Sequence, residues 1–268
     1  MFGWLAQTGT NGGKNSPIPF GVVPEGERVY AVGDIHGCFD QLNDLLEKMK
    51  GDAKNYTGKV YLVFIGDYID RGPHSREVVT ALCHPSWPKE WSTVFIRGNH
   101  EQGMLDFLAN PGLQPEWLNW GGRETLASYG ISTMHQGRLR TPESLAPELE
   151  EALQDAGHMS FFKATVLQHI LGGYAFVHAG VRAGVPMHRQ IPNDLLFIRE
   201  DFIGRDHGLP TRVVFGHTIQ RQGHQVWPQP LITPDRIGID TGAYDGGPLT
   251  AVRLEGSDVH ILQAGSRA

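Results

Sequence analysis

The stretch Val60-Tyr61-Leu62-Val63-Phe64-Ile65-Gly66-Asp67-Tyr68-Ile69-Asp70-Arg71-Gly72 decides the fold. Its first half is an unbroken run of β-branched, aromatic and aliphatic residues. That is strand length, and it suits a strand covered on both faces. Gly66 then ends the run and acidic residues follow at once. The same order recurs along the chain. Arg28–Val32 runs into Gly33-Asp34-Ile35-His36-Gly37, and Thr93–Ile96 into Arg97-Gly98-Asn99-His100-Glu101. Tyr174–Val177 runs into His178-Ala179-Gly180, and Arg212–Phe215 into Gly216-His217-Thr218. Each of these strands is followed by Asp, Asn or His, with glycine close by. In open α/β sheets ligands collect outside the carboxyl ends of the strands, so these positions are the candidate site.

Working outward, Lys59–Ile65 is flanked by helical patterns. Phe39, Leu42, Leu45, Leu46 and Met49 share one helical face. Val78, Val79 and Leu82 follow Pro73, a good helix-entry residue, and Met104, Leu105 and Leu108 repeat the spacing. Leu145, Leu149 and Leu153 lie four apart, with Glu148, Glu150, Glu151 and Asp155 on a solvated side. Arg236–Ile239, Leu249–Leu254 and Val259–Leu262 complete the strand signals. Alternating strands and helices followed by strand and turn predict a layered α/β domain with mixed sheets. Residues 28–268 read as that one domain, with residues 102–172 as a helix-rich cap or insertion. Residues 1–27 read as a flexible N-terminal arm, rich in Gly, Asn, Thr, Ser and Pro from about Gln7 to Pro19.

Composition narrows the function. The 268 residues carry 23 basic and 29 acidic side chains, a formal charge of −6, which excludes a broad cationic footprint for nucleic acid. A small anionic substrate at a local cationic site remains compatible. Two cysteines cannot build a disulfide framework or a Cys-rich zinc site. No apolar run reaches the ~18–20 residues of a membrane helix, and the N-terminus lacks the pattern of a secretory signal. The expectation is a cytoplasmic protein with no nucleic-acid or membrane partner.

The donor set at the strand ends is Asp34, His36, Asp67, Asn99, His178 and His217. Oxygen and imidazole donors without thiolate suit Mn, Fe or Zn. Six side chains exceed one open catalytic ion and suit two, with Asp67 the natural bridge because one carboxylate has two oxygens. Apart from these and His100, which directly follows Asn99, the remaining nine histidines read as surface or hydrogen-bonded residues. Cys38 opens a strand-to-helix turn and reads as neither redox-active nor a ligand.

The series Gly-Asp-Ile-His-Gly, Gly-Asp-Tyr-Ile-Asp-Arg-Gly, Arg-Gly-Asn-His-Glu, His-Ala-Gly and Gly-His-Thr resembles the calcineurin-like metallophosphoesterases. Within them it is similar to the phosphoprotein phosphatases of bacterial and phage type, from about Arg28 to the C-terminus. The resemblance implies a four-layer α/β/β/α sandwich with mixed sheets and a helical cap. It implies two divalent ions, Mn ahead of Fe, Zn, Ni or Co, and a hydroxide bridging them as the attacking group. Asp34 and His36 match ligands of the first ion, Asp67 the bridge, and Asn99, His178 and His217 ligands of the second. His100 matches a general acid, Asp70 its carboxylate partner, and Arg71 and Arg199 arginines that bind the phosphoryl group. Tyr244 matches an aromatic near the phosphate.

Other residues near the motifs have plainer readings. Arg97 reads equally as a structural pair or a phosphate ligand. Glu101 reads as a helix cap or a clasp on a ligand loop, and Asp240 as a turn residue or one just behind the ligands. Trp117 and Trp120 read as core first and as a substrate wall second.

Three functions compete. The first is a protein serine/threonine phosphatase, with phosphotyrosine also open, acting on phosphoproteins or small phosphate esters. The complete Asp70-Arg71-Gly72 triplet supports it. The alternative is a dinucleoside polyphosphate hydrolase of the diadenosine tetraphosphate type. A non-catalytic scaffold is the third, and the filled ligand and acid positions count against it. Oligomeric state is not legible.

Overall fold

The structure is a computed structural model and describes residues 20–265. The arm expected over residues 1–27 lies outside them as far as residue 19. Of the remainder, Gly21 and Val22 hydrogen-bond with Gly173, Val23 bonds Gly256, and Val23 is buried.

Two five-stranded mixed sheets stack face to face. In chain order the strands are β1 (Glu27–Val32), β2 (Lys59–Phe64), β3 (Ser92–Phe95), β4 (Met134–His135), β5 (Arg138–Leu139), β6 (Gln168–Leu171) and β7 (Tyr174–Val177), then β8 (Arg212–Phe215), β9 (Arg221–Gln222), β10 (Gln225–Val226), β11 (Leu231–Ile232), β12 (Arg236–Gly238), β13 (Leu249–Glu255) and β14 (Asp258–Ala264). The first sheet has the order β14-β13-β1-β2-β3, and the second β11-β12-β8-β7-β6. β1, β2 and β3 are parallel, as are β7, β8 and β12, while the flanking strands pair antiparallel. The short pairs β4–β5 and β9–β10 are separate hairpins.

The period of two explains the layering. Val29 and Ala31 of β1, with Val63 and Ile65, pack against Tyr174, Phe176, Val214 and Ile237 of the second sheet. Their alternates Tyr30 and Val32, with Leu62 and Phe64, face the opposite way. There they meet α1 (Phe39–Ala53), α2 (Ser75–Cys83) and α3 (Asn99–Ala109) through Leu42, Leu45, Leu46, Val79 and Met104. On the far side, Ala175, Val177, Val213 and Phe215 pack on Leu195 of α7 (Pro192–Phe197) and Phe202 of α8 (Glu200–Ile203). The result is the expected four-layer α/β/β/α sandwich.

Between residues 102 and 172 the chain forms the rest of α3, a 3-10 turn at Pro115–Asn119, α4 (Gly122–Ser128), α5 (Pro142–Asp155) and α6 (His158–Ala164). This segment ends in a strand, because Gln168–Leu171 forms the edge of the second sheet. A four-residue edge strand that opens on Gln168 and His169 carries little hydrophobic alternation, so the sequence pattern passes over it. Among the described residues no helix is long and apolar enough to cross a membrane.

Candidate metal centre

Because β1, β2, β3, β7 and β8 run in one direction in two stacked sheets, their carboxyl ends meet at one edge of the sandwich. The turns leaving them are tightly nested. A Cβ on Gly98 would lie 2.1 Å from Asp67 Oδ1, and one on Gly216 1.9 Å from Asp34 Oδ1, so only glycine fits beside these carboxylates. The functional residues themselves adopt strained backbone. Asp67 has φ 51°, His36 45°, Asp70 73°, Arg71 68° and His217 65°. Among the described residues only Gln136, in the β4–β5 turn, shares this trait outside glycine. Such conformations cost about 1–3 kcal/mol each and persist only where surrounding contacts impose them.

One of those contacts is Glu101, buried in the first turn of α3. Its carboxylate accepts N–H bonds from Gly98 (2.8 Å), Asp67 (2.8 Å) and Tyr68 (2.8 Å). It therefore caps α3 and clasps the turn after β2 to the turn after β3.

The candidate ligands converge around Asp67. Its Oδ2 lies 3.4 Å from His36 Nε2 and 3.5 Å from His178 Nε2. His178 Nε2 is also 2.9 Å from Asn99 Oδ1 and 3.2 Å from His217 Nδ1. Asp34 joins through Oδ2, which accepts the His217 amide at 2.9 Å. His36 Nδ1 faces the Ile69 carbonyl at 2.8 Å, and His178 Nδ1 the Ile65 carbonyl at 3.0 Å. A carbonyl only accepts, so both Nδ1 atoms carry hydrogen and both Nε2 atoms of the neutral rings present lone pairs. Those lone pairs meet carboxylate and amide oxygens, a buried acceptor-to-acceptor arrangement that a cation relieves. Asp34 Oδ1 and His217 Nε2 are likewise buried without hydrogen-bond partners. His36, Asp67 and His100, and separately Asp67, His178 and His217, place ligand atoms within 4.8 Å of one another.

The electrostatics agree. Burial pushes His36 and His178 below the ordinary histidine range and takes His217 down to about 2, with His178 and Arg199 adding to the last. Burial alone would raise Asp67, but His178, His100, His36 and His217 outweigh it and hold the carboxyl below its usual range. Burial, Asp240 and Asp67 push Asp34 up. Neutral imidazoles beside ionised Asp67, with Asp34 crowded by the other carboxylates, form a donor set that fits hard or borderline divalent ions.

A sequence profile of the calcineurin-like phosphoesterases matches residues 27–234. The chain belongs to this family. This phosphoesterase is 27% identical over 238 residues to an asymmetrical bis(5'-nucleosyl)-tetraphosphatase of Halalkalibacterium halodurans, covering 83% of this chain and 88% of the relative. It is 30% identical over 282 residues to a symmetrical bis(5'-nucleosyl)-tetraphosphatase of Neisseria gonorrhoeae, covering 88% of this chain and 95% of the relative. A cold-active protein-tyrosine phosphatase of a psychrophilic Shewanella superposes with a TM-score of 0.51 at 17% identity, over 93% of this chain and 82% of that one. At that identity the likeness is one of fold. Family membership and these relatives make the chain a metal-dependent phosphoric ester hydrolase.

The remaining candidate site residues surround His100. Its Nδ1 lies 2.7 Å from Asp70 Oδ2. Asp70 also accepts from Trp117 Nε1 (2.8 Å) and Thr125 Oγ1 (2.6 Å), two partners the sequence reading missed. His100 Nε2 sits 3.2 Å from Arg71 Nη2, and Arg71 hydrogen-bonds and stacks on Tyr244. Arg199 donates to the His217 carbonyl at 3.1 Å. Arg71, Arg199, Asn99, His100, His217 and Tyr244 line one pocket of about 530 Å³, together with Asn119, Trp120 and Phe197. A larger groove of about 860 Å³ runs along β3 and α6 and holds none of the candidate ligands.

The structure also places the residues given plainer readings. Arg97 is a structural pair, bonded to Thr165 (2.9 Å) and Gln102 (3.0 Å) and absent from the pocket lining. Asp240 is a turn residue that accepts the Gly242 amide at 3.0 Å, and burial raises it to about 6. Burial raises the Cys38 thiol to about 11, which keeps it protonated.

Proposed function

We propose that this phosphoesterase hydrolyses dinucleoside polyphosphates of the bis(5'-nucleosyl) tetraphosphate class. The observation that carries the reading is the likeness, over more than four-fifths of the chain, to relatives named for that activity. From the sequence, the Asp70-Arg71-Gly72 triplet ranked phosphoproteins first. The Asp70 carboxylate is occupied by His100, Trp117 and Thr125, which supports a place beside the candidate acid and not in choosing what the ester carries.

In this reading Asp34, His36 and Asp67 hold one ion, and Asp67, Asn99, His178 and His217 the other, with Mn first among the candidates. When bound, two such ions lower the pKa of water and offset charge on phosphoryl oxygens. Arg71 and Arg199 present planar forks to the remaining phosphoryl oxygens, and Tyr244 fixes the first fork. His100 supplies the proton for the leaving oxygen from Nε2, while Asp70 holds Nδ1–H. Burial pulls His100 down, but the charge of Asp67 and the Asp70 bond outweigh it, so the ring is raised above its ordinary value and favours the protonated form.

The test compares kcat/KM of the Mn-loaded protein for diadenosine tetraphosphate with that for phosphoserine and phosphothreonine peptides. The tetraphosphate is expected to be the better substrate, and chromatography of the products separates cleavage into ATP and AMP from cleavage into two ADP. A higher kcat/KM on the peptides overturns the reading.

A further inference from the structure

We infer that Trp120 is the nucleobase-recognising residue of this site, and that Arg123 receives the phosphates beyond the one being cleaved. The inference rests on the dinucleoside reading above. Trp117 is almost fully buried, whereas Trp120, three residues on, is 37% exposed. Core packing does not account for Trp120, yet its position is fixed. A Cβ on Gly103 of α3 would lie 2.8 Å from its Cζ3, so one edge of the indole is pressed onto the helix. The Trp120 and His100 ring centroids are 6.1 Å apart. A leaving group that takes its proton from His100 therefore departs beside the partly exposed Trp120 ring. Phe197, 38% exposed, lines the same pocket.

Trp120 is also a ridge between two pockets. The 530 Å³ pocket over the candidate ligands and a neighbouring one of about 380 Å³ share Arg71, Asn119 and Trp120, and the second adds Arg123 together with the exposed Glu124. Arg123 is half-buried, and among the described residues it makes no hydrogen bond or ion pair. One phosphorus of a tetraphosphate reacts and the others stay anionic, so a guanidinium one pocket away matches the charge left over. A small phosphate ester needs neither feature. Exposed aromatic faces bind bases by stacking without reading their edges, so the geometry selects for a base rather than for one particular base.

The test is steady-state kinetics of the Mn-loaded protein on diadenosine tetraphosphate, glycerol phosphate and a phosphotyrosine peptide. Trp120→Ala is expected to lower the tetraphosphate-to-glycerol-phosphate ratio of kcat/KM about tenfold or more, chiefly through KM, and Trp120→Phe to keep most of it. Arg123→Gln should narrow the preference for diadenosine tetraphosphate over diadenosine diphosphate. As a readout apart from turnover, AMP should quench tryptophan fluorescence in the wild type and much less in Trp120→Phe. If the wild type cleaves glycerol phosphate but not the tetraphosphate, the dinucleoside reading falls and this inference with it. If the wild type cleaves the tetraphosphate and Trp120→Ala leaves the ratio within about twofold, the base-recognition inference alone is overturned. An equal loss on the phosphotyrosine peptide shows a wall for any aromatic group and also overturns it.

Discussion

His100 is where the competing substrate chemistries separate. An alkoxide leaving from phosphoserine needs a proton in the transition state, whereas a nucleotide leaving from a phosphoanhydride departs as the anion of a far stronger acid. His100→Asn is therefore expected to cost about 10²–10⁴-fold on phosphoserine peptides and distinctly less on p-nitrophenyl phosphate or diadenosine tetraphosphate. Equal losses on all three would remove the acid role. Metal content of the same variant adds a second check, because His100 also lies within ligand distance of His36 and Asp67. A full complement of ions marks it as acid rather than ligand. At this scale Asp34, His36, Asp67, Asn99, His178 and His217 were legible because each follows a strand within a few residues. Trp117 and Thr125 were not, since they reach Asp70 from 47 and 55 positions away.

Elements explain how those residues are held. The strand ends bring the turns together, and Glu101 ties two of them by accepting amides from both. That clasp was one of the two readings the sequence left open, and only the packing of α3 against the turn after β2 shows that Glu101 does both. The helices beside the site have a tie of their own. His158, at the start of α6, pairs its Nδ1 with Tyr129 Oη at 2.7 Å and its Nε2 with Thr80 Oγ1 of α2 at 3.3 Å. Burial, then Arg76 and His84, lower it from 6.5 to about 4. The unfolded chain thus takes up this proton first, so the contribution to stability is whole above pH 6.5 and is lost as pH falls toward 4. The urea midpoint should drop between pH 7 and pH 5 in the wild type and drop less in His158→Gln. Parallel drops in the two proteins would rule the His158 tie out as a source of acid sensitivity.

Across the whole molecule, the candidate centre takes Asp34, Asp67 and Asn99 from turns of the first sheet and His178 and His217 from turns of the second. Ions held there cross-link the two halves of the sandwich and relieve the crowding of Asp34, Asp67 and Asp240. Loading with Mn²⁺ should raise Tm by about 5 °C or more at saturating ion, and EDTA should reverse it. Identical melting curves with Mn²⁺ and with EDTA would contradict a centre shared between the sheets. Whereas the four layers came from the family resemblance, the sequence by itself determined the strands that lead into the site, the donor types that follow them and a layered α/β class. These depend on short-range patterns, a strand followed at once by glycine and a ligand, that hold whatever packs around them. Only the tertiary structure decided that Gln168–Leu171 is an edge strand, that Trp117 and Thr125 fasten the Asp70 carboxylate beside His100, and that Trp117 is buried while Trp120 is partly exposed in the pocket lining. Exposure and partnership are set by what other segments cover, and two tryptophans three residues apart look alike until those segments are in place.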